Sequence, residues 1–335
     1  MRLLALAAAV LVVAGVGVAA AVRLADRGPS LEQRADELVE AGVPGVVVRL
    51  RDGDDVDAFA RGRAAPGDRF RIGSITKTLV AVLAVRLADD GALRLDDPVS
   101  RHVPGLLHDG DRVTIRDLLD HTAGLEDYTQ DPELLNGERS PRELVAIADR
   151  RPRRTGYAYS STNYLALGLV LEAAGHAPLD VLLRRHVLEP FGLAETTFEP
   201  ERVAGDHLHG HMRASRDGIA TGRLRDTSAR SARSAWAAGA AVSTAADLER
   251  FFERLLDGEL GARLRPVGDA RYGLGVARFE TECGPVVGHT GNLLGTISVV
   301  GARGPRLLVA AANVYPLTPS QERAFQRLLD RALCG

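Results

Sequence analysis

Lysine is nearly absent from this chain. Of its 42 lysine and arginine side chains, one, Lys77, is a lysine. Basic blocks are missing too: the densest patch, Arg151, Arg153 and Arg154, is a solvated loop pattern. With a formal net charge of −2 and the two signs interspersed, no basic footprint for nucleic acid is present. No internal repeat is found. Cysteine is limited to Cys283 and Cys334, which in an exported protein read as a disulfide pair and otherwise as two unrelated thiols. Long apolar runs are limited to one, Leu3 to Val22 behind Met1-Arg2. A positive start, an apolar stretch and Ala19-Ala20-Ala21 form an export signal with an A-x-A cleavage site. A run of about 20 apolar residues can also span a bilayer, so an uncleaved anchor stays open. Residues 1–22 are therefore a signal peptide or membrane anchor, and residues 23–335 an extracellular or cell-surface domain. A chain of 335 residues with 45% hydrophobic content can bury a sizeable core.

The lone lysine carries chemistry that arginine cannot. Guanidinium keeps its proton in proteins, whereas an ammonium loses its proton when desolvated or set near other positive charge. A lysine kept in an arginine-writing chain points to a general base. Ser74 lies three residues before it, which places both side chains on one helical face. The apolar residues Leu79, Val82, Leu83, Val85 and Leu87 predict a helix that stops at Gly91 and has Ser74 at its N-terminus. Free amides and the helix dipole there favour negative charge developing near the serine.

Elsewhere the pattern predicts a helix over Leu31–Ala41, a strand over 45–50, a turn at Asp52–Asp55 and a weaker strand through Ala58–Ala60. Thr114 and Asp117 form a capping box for a short helix that runs into His121. His121 is read as a structural histidine tying down a turn, not as a catalytic base. The segment from Pro141 to about Ala245 reads as mostly helical, with helices over Ser160–Ala174 and Leu179–Val187. His207, His209 and His211 alternate as zinc ligands on a strand would, but Gly210 marks a loop, and no metal site is assigned. Strands are predicted over 272–279, 285–289, 294–300 and 306–313, then a helix over Ser320–Leu333. The fold class is α/β: an antiparallel sheet built from both chain ends, flanked by helices, with an inserted mostly helical lobe at about 100–240.

Two further stretches could serve Ser74. In Tyr157-Ala158-Tyr159-Ser160-Ser161, Tyr159 could shuttle a proton as phenolate if Lys77 lowers its pKa. In His289-Thr290-Gly291-Asn292, hydroxyl and imidazole could bind a substrate carboxylate, and Gly291 lets backbone approach closely.

The Ser74-x-x-Lys77 step, Tyr159-x-Ser161 and His289-Thr290-Gly291 follow one another at the spacing of the penicillin-recognising serine hydrolases. The chain resembles the class C β-lactamase and D-alanyl-D-alanine carboxypeptidase group, in detail the Streptomyces-type carboxypeptidases. The resemblance covers nearly all of the chain beyond the N-terminal segment, and it implies a β-lactamase/transpeptidase-like fold. It further implies Ser74 as the acylated nucleophile, Lys77 as its base or proton relay, and Tyr159 as the group that passes the proton to the leaving amine and then activates water. Backbone amides of Ser74 and Asn292 would form the oxyanion hole. His289 and Thr290 would hold the tyrosine and the substrate carboxylate, and Trp236 would wall the cleft or, as a plain core residue, pack inside. Cys283 and Cys334 would be that subgroup's disulfide. No cofactor is implied; the partners are peptidoglycan peptides or other small acyl substrates, and β-lactams. Ser161 and Asn292 depart from the pattern, which usually has Asn and Thr there. Arg278, offered as a carboxylate clamp, lies one step past the relatives' position at Ala277, and one step along a strand changes the face. A β-lactamase or esterase is the alternative activity, and a non-hydrolytic penicillin sensor a third.

Overall fold

The computed structural model describes residues 28–135, 139–216 and 219–335, so the expected export segment lies outside the described residues. Strand β1 (Gly45–Asp52) turns through Gly53, at φ +63°, into β2 (Asp55–Gly62). The remaining strands of the large sheet come from the other end of the chain: β8 (Ala277–Thr281), β9 (Gly284–Leu293), β10 (Thr296–Arg303) and β11 (Arg306–Ala312). Their order is β2-β1-β11-β10-β9-β8, every neighbour antiparallel. Alternation along each strand serves two cores. Val46, Val48, Leu308 and Ala310 pack on α1 (Leu31–Glu40) and the terminal helix α6 (Pro319–Cys334). Val47, Val309 and Ala311 face the opposite way, onto Phe251, Phe252 and Leu255 of α5 (Ala245–Asp257).

Between the two halves of the sheet lies the lobe. Helix α2 (Thr76–Asp89) is buried on all sides from Thr76 to Val85, and its unbroken apolar run from Leu79 to Val85 covers every face, as in a helix at the centre of a domain. It ends before Gly91, at φ +77°. The Thr114–Asp117 capping box opens α3 (Ile115–Leu119), and Ser160 caps α4 (Ser161–Gly175), a second central helix. A small sheet β3-β7-β4 ties Phe70–Arg71, Ala241–Ser243 and Thr197–Phe198 together.

Three expectations need correction. The stretch read as mostly helical contains a two-stranded hairpin, β5 (His211–Arg216) with β6 (Ile219–Asp226), whose polar sequences give no apolar alternation. The strand expected over 272–279 is β8 alone, since Gly273 and Gly275 (φ +78°) break the pairing and leave an isolated Tyr272–Ala277 bridge. The His289–Asn292 motif sits inside a strand and not at its end: β9 continues to Leu293 because Asn292 still pairs with Ile297. Glycine and polar residues hide the last half of that strand from any hydrophobic pattern.

Candidate active site

Ser74 stands in a 3₁₀ turn, Gly73–Ile75, immediately before α2. The turn abuts β9 backbone to backbone. A Cβ on Gly73, whose φ is +52°, would fall 2.6 Å from the Asn292 nitrogen, and one on Gly291 would fall 2.0 Å from the Ile72 carbonyl oxygen. Only glycines allow that approach. Ser298 Oγ donates to the same Ile72 carbonyl at 3.1 Å and pins the turn to the sheet. The amide of Asn292 is thereby brought beside the nucleophile loop.

One helical turn on, the Lys77 amine is fully buried. Its Nζ donates to the Ala238 carbonyl at 2.8 Å and lies 3.0 Å from Ser74 Oγ and 3.4 Å from Ser161 Oγ. Among the described residues no carboxylate pairs with it. Burial brings its pKa down from 10.5 to about 7, with the charge of Asp127 opposing the shift. Near neutral pH the unprotonated amine is therefore readily populated and can accept the Ser74 proton.

The condition set for a resting phenolate, a Tyr159 pKa lowered by Lys77, is not met. The Lys77 ammonium sits over the ring face, 5.1 Å from its centre. Although 36% of the residue faces the open cleft, dense surroundings raise its phenol above the usual 10; the Ser74 hydroxyl opposes this and the Asp127 charge adds to it. The tyrosine rests as a phenol, a proton donor, while the lysine is the group tuned toward its neutral form. Environment has pushed the two pKa values apart, the usual sign of divided acid and base roles.

His289 is buried and holds a different tyrosine from the one expected. Its Nδ1–H donates to the Thr290 carbonyl at 2.6 Å, and its Nε2 accepts from Tyr272 Oη at 2.9 Å. Burial first, and the Lys77 charge second, push its pKa down to about 3, so it stays neutral. Thr290 and Asn292 both project outward from β9 into the cleft, which encloses about 730 Å³. Ser161 also lines it, as do Arg271, Arg278 and Asp127. Arg278 does reach the cleft, with one guanidinium nitrogen tied to the Gly268 carbonyl. Arg271 makes no ion pair among the described residues.

Trp236 takes the core place of its two expected ones. It is not part of the cleft lining; its indole packs on α4 where Gly168 leaves a notch, since a Cβ there would fall 2.6 Å from the ring. Trp236 is half-buried against the main core. The alternating histidines are each occupied separately: His207 Nδ1 with the Gly205 carbonyl, His209 with Asp226, His211 with the Asn313 carbonyl. Cys283 and Cys334 are disulfide-bonded. The residues given no site role from sequence are Tyr272 and Asp127, which stand in stretches of the family resemblance, Arg271, which carries no motif, and His121, read only as a structural histidine. Its ring lies 4.3 Å from that of Tyr159.

A serine hydroxyl against a buried amine of lowered pKa, with a phenol and a strand amide facing one cleft, defines a serine hydrolase that works by acyl transfer. The chain belongs to the β-lactamase family, whose description, Beta-lactamase, matches residues 31–333. Penicillin-binding protein 4 of Amycolatopsis lactamdurans is 32% identical over 248 residues, 68% of this chain and 63% of that protein. The putative penicillin-binding protein PbpX of Bacillus subtilis is 24% identical over 277 residues, 76% of this chain and 66% of that one. The chain thus spans a little under two thirds of the length of these curated relatives. Among solved structures, a D-stereospecific amidohydrolase from Streptomyces sp. superposes with a TM-score of 0.80 at 30% identity, covering 91% of this chain and 98% of that one. The D-amino acid amidase of Ochrobactrum anthropi SV3, at 23% identity with 90% and 97% covered and a TM-score of 0.79, shares the fold.

Proposed function

We propose that this chain is an exported serine D-alanyl-D-alanine carboxypeptidase acting on cell-wall peptides through a Ser74 acyl-enzyme. Neutral Lys77 takes the Ser74 proton as Oγ attacks the scissile carbonyl. The Ser74 and Asn292 amides hold the oxyanion. Tyr159 gives its proton to the departing amine nitrogen as the C–N bond breaks, and the Lys77 ammonium returns a proton to the tyrosine. Water then releases the acyl group by the reverse sequence. The observation that carries the substrate class is the cationic end of the cleft. Beyond Thr290, on the β8 side of β9, stand Arg271 and Arg278, suited to a terminal carboxylate. The apolar N-terminal segment and the Cys283–Cys334 bond support export to an oxidising compartment, with the segment cleaved or kept as an anchor. The likeness to penicillin-binding proteins supports β-lactam binding.

A second reading, a D-amino acid amidase, has its own support. Asp127 is the one carboxylate among the described residues lining the cleft and suits a substrate α-ammonium, and a D-stereospecific amidohydrolase is similar along nearly the whole chain. Product analysis separates the readings. A diacetyl-lysyl-D-alanyl-D-alanine peptide, a D-amino acid amide and a chromogenic cephalosporin are offered side by side. Release of D-alanine from the peptide as the fastest turnover is expected. Faster ammonia release from the amide would replace the carboxypeptidase reading with the second one, and rapid cephalosporin hydrolysis would replace both with a β-lactamase.

A further inference from the structure

Tyr159 follows a non-helical stretch and precedes α4, and nothing in its own sequence fixes where its phenol points. His121, on the loop after α3, touches the backbone on both sides of it. Its carbonyl accepts the N–H of Ala158 at 3.0 Å, and its Nδ1 accepts the N–H of Ser160 at 3.2 Å. The amide of Asn163, in the first turn of α4, stands 3.2 Å from the same nitrogen. The imidazole then lies against the Tyr159 ring, centres 4.3 Å apart and planes inclined by 37°. One residue thus holds the peptide units before and after the tyrosine and presses on its ring.

The cost of this arrangement is visible. His121 is a non-glycine residue at φ +64°, a strained conformation that persists only when its surroundings over-determine it. With Nδ1 accepting, the proton must sit on Nε2, and that buried atom has no hydrogen-bond partner among the described residues. Around it stand the rings of Tyr164 and Tyr272, centres 5.3 and 4.6 Å away. A second proton is disfavoured, by burial first and by the Lys77 charge next, so the ring remains a neutral acceptor. A strained backbone and an orphaned donor beside the reacting groups are hard to account for by a turn alone.

We propose that His121 is the positioning residue of the site: a fixed neutral tautomer that clamps Tyr159 in register with Ser74. This rests on the reading of Tyr159 as proton donor. The chemistry asks for an acceptor at Nδ1, a ring to stack and tolerance of a left-handed backbone. Asparagine supplies the first and third, with its Oδ1 in place of Nδ1, but no ring. Alanine supplies none.

The test is stopped-flow acylation by a chromogenic cephalosporin for wild type, Tyr159→Phe, His121→Asn and His121→Ala. Maximum rate, half-saturating concentration, pH profile and melting temperature are measured for each. Tyr159→Phe is expected to slow the maximum rate by ~10²–10⁴, as loss of a positioned acid does. His121→Ala should slow it by ~10–10², the order that follows a misplacement of about 1 Å. Half-saturation and the pH midpoint should stay unchanged in the folded variant. His121→Asn should recover a large part of the loss. A His121→Ala enzyme that melts early yet acylates at the wild-type rate while folded would make His121 merely structural. Asparagine no better than alanine would remove the Nδ1 clamp, and a lost pH limb would make His121 itself a proton carrier; each overturns the proposal. Tyr159→Phe as fast as wild type would instead remove the role of Tyr159, and the clamp's purpose with it.

Discussion

Lys77 could be replaced by arginine wherever only a positive charge is needed, and this chain makes that exchange everywhere else. Its surroundings work against charge: full burial, a single carbonyl at 2.8 Å and no paired carboxylate among the described residues. Two consequences follow from a pKa lowered to about 7. Acylation needs the neutral amine, which is present above that pH, so the rate should rise tenfold per pH unit below about 7 and level off above it. Stability should move the same way. Between about 7 and the usual 10.5 the unfolded lysine binds more protons than the folded one, so the penalty is absent above that window and complete below it. Lys77→Arg keeps a proton at any working pH. It should slow acylation by at least ~10²–10⁴, the loss of a general base, and lower the melting temperature, because a charge that cannot neutralise then stands in a fully buried site without a paired carboxylate. A flat pH–rate profile, or a folded arginine variant within a few-fold of wild type, would leave Lys77 as a fixed charge.

Among the elements, β9 and the turn holding Ser74 form a unit that works because backbone meets backbone. Gly73→Ala adds a methyl group 2.6 Å from the Asn292 nitrogen at a φ of +52°, so either the turn or the strand must shift. Acylation should fall by more than ~10², the penalty for losing an oxyanion donor. The measurement is stopped-flow acylation with circular dichroism as a folding control; a folded variant at the wild-type rate would uncouple the glycine from the site. Elements of this kind mark how far sequence reasoning reaches. The Ser74–Lys77 step was legible because its spacing is local and its chemistry rare, Tyr159 and Ser161 because they stand in the family's next motif, and the sheet ends from runs such as Val46–Val48 and Leu307–Ala311. The β5–β6 hairpin was not, since His-Met-Arg-Ala-Ser-Arg carries no apolar alternation. The place of Trp236 stayed open between cleft and core because a lone aromatic reveals nothing of which wall it packs on, and the notch that holds it belongs to Gly168, 68 positions earlier in the chain. The clamp of His121 on Tyr159 spans two loops, and no pattern within either loop records it.

For the whole molecule, the sheet is closed by joining the chain's two ends, β1 against β11, and the site stands where that sheet meets the inserted lobe. The Cys283–Cys334 bond fastens the terminal helix α6 to the turn between β8 and β9, across a separation of 51 residues. Closing such a loop is worth roughly 4 kcal/mol in the chain-entropy model. Protein recovered from an oxidising compartment should show no alkylatable thiol under denaturing, non-reducing conditions and two after reduction, and Cys334→Ser should melt several degrees lower. Two thiols labelled before reduction would contradict the bond. The central claim, that this assembly exists to acylate Ser74, is tested most directly by intact-protein mass spectrometry after incubation with benzylpenicillin. The account predicts one adduct, on the peptide containing Ser74 and absent from Ser74→Ala. No adduct at saturating drug, or one that maps to any other residue, would contradict it.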